Sequence, residues 1–101
     1  MLRSVEYAAR ATFNLKAIKA FVGQENPSAA LRVVEYITDS ADGLLDFPLM
    51  GKPWTRAGTR KLVLSTFPYS IIYKLTPAKV IVLAVAHQSR KNKQSRPRRK
   101  P

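Results

Sequence analysis

Hydrophobic and polar positions change rhythm along this chain, and each rhythm predicts a different element. Leu2 to Tyr7 alternates, with Val5 and Tyr7 on one side and Glu6 on the other. That is a short strand. From about Ala9 to Gly23 the period lengthens. Ala11, Leu15, Ile18 and Val22 form one helical stripe, with Lys16 and Lys19 off it. Gly23 is a natural stop. Asn26-Pro27 then opens a second helix, since Asn accepts free backbone N–H groups and Pro suits the first helical position. Ala30, Val33, Val34, Ile37, Ala41, Leu44 and Leu45 keep helical spacing to about Leu45. The link between the helices is short enough to force an αα-hairpin.

Phe47-Pro48 ends the second helix, because a residue before proline avoids the α region. Leu49 to Gly58 reads as irregular, broken by Gly51, Pro53 and Gly58. Three strand-like runs follow. Thr59 to Ser65 sets Leu62 and Leu64 on one face, and Tyr69 to Leu75 alternates cleanly. Lys79 to His87 is almost continuously apolar, which predicts a central strand covered on both faces. Hairpin-length links join them. The order strand, helix, helix, strand, strand, strand predicts an α+β fold: an αα-hairpin packed on one face of a small, mainly antiparallel sheet. Residues 1–90 form a single domain. Residues 91–101 are polar and basic, have nothing to bury, and are expected to be a disordered tail.

The 101 residues carry eighteen Lys and Arg against six Asp and Glu, a net charge of +12. All six acids lie before residue 47, so the first 46 residues sum to −1 and the remainder to +13. The basic half has a folded part as well as a tail. An anionic partner is implied, either nucleic acid or an acidic protein segment; a plain solubility charge is the bland alternative. Cysteine is absent, which excludes a disulfide framework and a thiolate zinc site. The single histidine makes no metal site alone, and no glycine-rich phosphate loop occurs. Nothing requires a metal or organic cofactor. No apolar run spans a bilayer, and Met1 to Glu6 lacks a signal-peptide core, so a cytoplasmic protein without membrane contact is expected.

Several pieces in order resemble the RelE/ParE superfamily of bacterial type II toxin–antitoxin toxins. They are Asn14-Leu15 and Ile18; Asn26-Pro27 with Ala29-Ala30 and Arg32; Leu45 to Pro48 with Gly51; Gly58-Thr59-Arg60-Lys61-Leu62; Pro68-Tyr69; Ile72-Tyr73; and Val85 with His87 to Arg90. No piece is specific alone; their order and spacing are. The resemblance implies a toxin neutralised by a small, acidic, partly disordered antitoxin, with a toxin–antitoxin hetero-oligomer as the stored form. It also implies two divergent activities. ParE-like members bind DNA gyrase and are not nucleases. RelE-like members are ribosome-dependent endonucleases that cut mRNA. The long second helix and the closing His87-Gln88-Ser89-Arg90 are nearer the ParE-like and plasmid-stabilisation branch.

RNA cleavage by the 2′-oxygen needs a base, a cationic clamp on the phosphorane and an acid for the leaving oxygen. His87 is the titrating candidate, Arg60 and Lys61 the clamp, and Tyr73 a stacking or proton-donating group. Each has a plainer reading. His87 is equally a hydrogen-bonded strand-end residue, and Tyr69 and Tyr73 alternate like core positions. For partner binding the candidates are Arg60, Trp54, His87, Arg90 and Lys91, with Trp54 expected to be the most exposed aromatic, either an anchor or a plug at the core edge. The resemblance implies that nucleases of the superfamily carry a Tyr near the C-terminus or a carboxylate base; here no Tyr follows His87 and no carboxylate occurs after residue 46, so the binder reading stands ahead of the enzyme reading. A bare nucleic-acid binder is the third.

Overall fold

A computed structural model describes residues 2–88. Its elements are β1 (Ser4–Tyr7), α1 (Ala9–Gly23), α2 (Pro27–Gly43), β2 (Lys52–Pro53), β3 (Thr59–Val63), β4 (Tyr69–Leu75) and β5 (Lys79–His87). They form one sheet in the order β1-β5-β4-β3-β2 with an αα-hairpin on one face. β1 pairs with β5 in parallel and the other pairings are antiparallel. The α+β architecture expected from the periodicities is the one observed.

The second helix starts as its sequence dictates. The Asn26 side chain accepts the Ala29 N–H at 3.0 Å, and Pro27 takes the first turn, where its missing N–H costs nothing. Asn26→Ala is expected to destabilise the protein by about 1 kcal/mol, read as a lower denaturant midpoint. The helix ends at Gly43 rather than Leu45, and the chain continues to Asp46 in turns. Both predicted helical stripes are inside: Ala11, Ile18, Val33, Ile37, Ala41 and Leu44 are buried against Tyr69, Ile71, Tyr73, Val80, Val82 and Val85 of the sheet.

Two sequence expectations need correction. The segment read as wholly irregular contains β2, where Lys52 and Pro53 pair with Lys61 and Arg60. A two-residue strand carrying proline has no periodicity to read, and proline is tolerated because β2 is the sheet edge. β5 is also not covered on both faces. Val80, Val82 and Val85 meet the helices, whereas Ile81, Leu83, Ala84 and Ala86 stay partly exposed. A register shift opposite Ile72/Tyr73 lets the pairing pass from Val82 to Ala84.

The far end of the sheet is tied by amides. Where β1 has ended, the Asn14 side chain accepts the Val85 N–H at 3.0 Å. Gln88 Nε2 donates to the carbonyls of Tyr69 and Leu64 at 2.8 and 3.2 Å. Tyr36 lies against Phe67 edge-on and takes hydrogen bonds from Ser65 and Thr66, which lower its pKa from 10.0 to about 8. The fold thus favours the phenolate. This contribution to stability is present at pH above 10, and is lost as pH falls through about 8. An ultraviolet phenolate titration is expected to show one tyrosine ionising near 8, absent in Tyr36→Phe.

Candidate functional site

Strand alternation sends the proposed residues to different places. Arg60 lies opposite Tyr73, on the helix-covered face, and Lys61 lies opposite Ile72, on the open face. Tyr73 is fully buried. Its hydroxyl donates to the Pro48 carbonyl at 2.7 Å and accepts the Gly51 N–H at 2.9 Å. Arg60 Nε donates to the Gly51 carbonyl at 2.7 Å, and Nη2 reaches the Leu49 carbonyl at 3.4 Å. Together they clamp the 48–51 loop. Gly51 is required by this approach, since a Cβ there would sit 2.7 Å from Tyr73 Cε1.

His87 lies at the opposite end. It pairs with Tyr69, its ring edge-on at 5.1 Å, and Tyr69 is about 13 Å along β4 from Tyr73 at ordinary strand rise. The structure therefore does not bring His87, Arg60, Lys61 and Tyr73 around one phosphate. Arg90 and Lys91 lie outside the described residues.

What the open sheet face does bring together is a different set. The Trp54 backbone N–H donates to the Thr59 carbonyl, and Lys61 Nζ stands 6.0 Å from the centre of the Trp54 ring. Trp54, Arg56, Thr59, Ile72, Leu83, Ala84, Ala86 and Arg10 line a hollow of about 490 Å³. Its floor is apolar and small, and its rim carries guanidinium and ammonium groups. A neighbouring hollow shares Arg10, Ala84 and Ala86 and adds Phe13, Asn14 and His87. The acid that reaches the sheet, Glu6, is engaged by Lys79 at 2.9 Å. Trp54 is partly buried and is not the most exposed aromatic, for Phe13, Phe21 and Phe47 are each about two-thirds exposed. An apolar floor under a cationic rim suits a ligand with an apolar or aromatic body and negative charge.

Arg10 and Arg56 were not singled out by sequence reasoning. Arg10 belongs to α1 and Arg56 to the β2–β3 loop, and only the sheet pairing brings them near Ala84. The signal that was available is the β5 run itself. Apolar residues continue on the face that no helix covers, which marks a surface for a partner. Among the described residues no cluster of His, Asp and Glu could hold a metal, and no helix is long and apolar enough to cross a membrane.

Fold and surface together define a small α+β protein with a helical hairpin behind its sheet and a cationic hollow in front. A family profile described as the ParE toxin of the type II toxin–antitoxin system parDE matches residues 5–92. The chain belongs to this ParE toxin family, within the RelE/ParE superfamily of type II toxins. Y4kP of Sinorhizobium fredii is 33% identical over 87 residues, covering 85% of this chain and 91% of that protein. Toxin RelE2 of Caulobacter vibrioides is 33% identical over 89 residues, covering 88% and 99%. Two solved structures share the fold. A chain of the chromosomal ParDE system from P. aeruginosa has a TM-score of 0.77 at 22% identity, covering 85% of this chain and 96% of its own. A chain of the RelBE2 toxin–antitoxin complex from Mycobacterium tuberculosis has a TM-score of 0.60 at 24% identity, covering 86% and 99%.

Proposed function

We propose that this toxin acts by protein–protein contact, binding DNA gyrase as ParE-like members do, and is held inactive by an acidic antitoxin. The observation that carries the reading is the clamp. The Tyr73 hydroxyl and the Arg60 guanidinium are committed to loop backbone, and His87 is far from both. A nuclease would need these groups, or a carboxylate base, to converge on one phosphate. The second half of the chain supplies no carboxylate. The cationic hollow is the surface offered to gyrase, with Trp54 as the aromatic anchor and Arg10, Arg56 and Lys61 as the charges.

One observation favours the RelE-like reading. A Trp54–Lys61 pair beside two arginines also suits a nucleobase and its phosphate. The two readings separate in one experiment. Purified toxin is expected to block supercoiling by gyrase while leaving transcripts intact in a translating extract. His87→Ala is expected to retain growth inhibition within about tenfold, whereas loss of a general acid or base lowers a nuclease's rate by about 10²–10⁴. Cut transcripts with unimpaired supercoiling would replace the gyrase reading by the RelE-like one.

A further inference from the structure

Lys52 of β2 and Lys61 of β3 stand directly opposite each other in the ladder. Opposite residues share a face, so both side chains rise from the open side of the sheet. Lys74 of β4 lies one diagonal further on, beyond Ile72, the partner of Lys61. Like charges placed this way repel and cost stability in the isolated chain. Lysine on an edge strand discourages edge-to-edge pairing, which accounts for Lys52. It does not account for Lys61, since β3 is flanked by strands on both sides. Among the described residues, neither these lysines nor Arg10 and Arg56 enter an ion pair.

The row borders the Trp54 hollow. Ile72, Leu83, Ala84 and Ala86 line that hollow with apolar surface, and its volume of about 490 Å³ is that of a small-molecule site. The two alanines leave low ground for a planar ring beside Trp54. Charge selects the ligand. An acidic peptide spreads its carboxylates over separate side chains. A polyphosphate gathers several charges on one short chain, and an arginine fork such as that of Arg56 can take two of its oxygens at once. The cations also stop at the hollow. Beyond β5, Glu6 and Lys79 satisfy each other at 2.9 Å, and the next outward residue along β3 is Val63, apolar and exposed. A strand of several nucleotides would leave its further phosphates without partners there, whereas a single nucleotide would not.

We infer that the Trp54 hollow binds a free nucleoside polyphosphate, its base laid on the apolar floor beside Trp54 and its phosphates held by Lys52, Lys61 and Arg56. Stacking and apolar contact hold the base, and the opposed lysines lose their repulsion when an anion lies between them. A bound nucleotide also occupies the surface offered to gyrase. That consequence rests on the proposed target, and the binding itself does not.

Trp54 is the single tryptophan of the chain, so its fluorescence reports the site directly. The full-length toxin is titrated with ATP, with AMP, with a single-stranded oligonucleotide and with a polyglutamate peptide. ATP is expected to quench the emission saturably, and AMP to bind about tenfold or more weaker, since it lacks two phosphates. Lys52→Gln/Lys61→Gln should weaken ATP binding by about tenfold or more and bring ATP and AMP close together. Its melting temperature should equal or exceed the parent's, because the repulsion is gone. Arg56→Gln, in the exposed β2–β3 loop, should also weaken ATP and repeats the test without touching a strand. Lys16→Gln/Lys19→Gln removes the same charge from α1 and should leave ATP affinity within about twofold. Equal binding of ATP and AMP by the parent, or parental ATP affinity in both hollow variants, overturns the inference. So does a preference of about tenfold for the oligonucleotide, which would make the hollow a track for a strand. Displacement of ATP by polyglutamate overturns it too, by making the hollow a site for an acidic protein segment. None of these readouts contains gyrase, so a negative supercoiling assay sinks the target assignment and leaves this site standing.

Discussion

Gly51→Ala lowers the melting temperature by roughly 10–20 °C. A Cβ at this position would lie 2.7 Å from Tyr73 Cε1, 2.8 Å from its hydroxyl and 3.0 Å from the Lys61 carbonyl carbon. Two of these neighbours belong to a fully buried ring and one to strand backbone, so neither swings aside cheaply. Overpacking of this kind costs about 2–3 kcal/mol, and each kcal/mol moves the midpoint of a domain this size by about 4–8 °C. Tyr73→Phe removes the hydroxyl that bridges Pro48 and Gly51 and costs about 1–3 kcal/mol through the orphaned backbone groups. The double variant should lose less than the two singles combined, because deleting the hydroxyl removes one of the clashes. Thermal denaturation of the three proteins checks this. Additive losses would mean that the ring and the loop are not coupled.

The second large effect is on activity. Arg56→Glu/Lys61→Glu is expected to abolish growth inhibition while leaving the fold intact. Arg56 is exposed and Lys61 partly so, so neither substitution disturbs the core. Arg56 lines the Trp54 hollow and Lys61 stands beside the Trp54 ring, so each substitution sets an anion against the anionic surface proposed for the target. A hundredfold loss of affinity, about 2.7 kcal/mol, is a moderate expectation for two reversed contacts. Induced cultures should recover near-normal growth, and the purified variant should melt within a few degrees of the parent. Retained toxicity would move the working surface away from this hollow.

The elements were legible where a local pattern decides them. Asn26-Pro27 caps and starts α2 by chemistry confined to one turn, and β4 and β5 kept their predicted limits because alternation or an apolar run defines them from end to end. β2 was invisible because two residues carry no period. The chemistry was less legible for a different reason. The alternation of Tyr73 with Ile71 gives its face, but nothing nearby in sequence says that its hydroxyl will hold Pro48 and Gly51. Arg60 and Lys61 are neighbours in sequence and therefore point to opposite faces, which separates a clamp that looked like one group. Arg10 and Arg56 line one hollow only because the fold sets α1 and the β2–β3 loop beside β5. One stripe of α1 is enough to predict a helix, so the exposed Phe13 and Phe21 on its other side add nothing to that prediction.

Hydrogen exchange on the toxin alone and in the presence of gyrase tests the central claim most directly. A bound complex should slow exchange in the 54–61 segment and in the Ile81 to Ala86 stretch of β5, the walls and floor of the cationic hollow. If gyrase leaves every amide unchanged, or slows exchange only away from that sheet face, the account of how this toxin acts is contradicted.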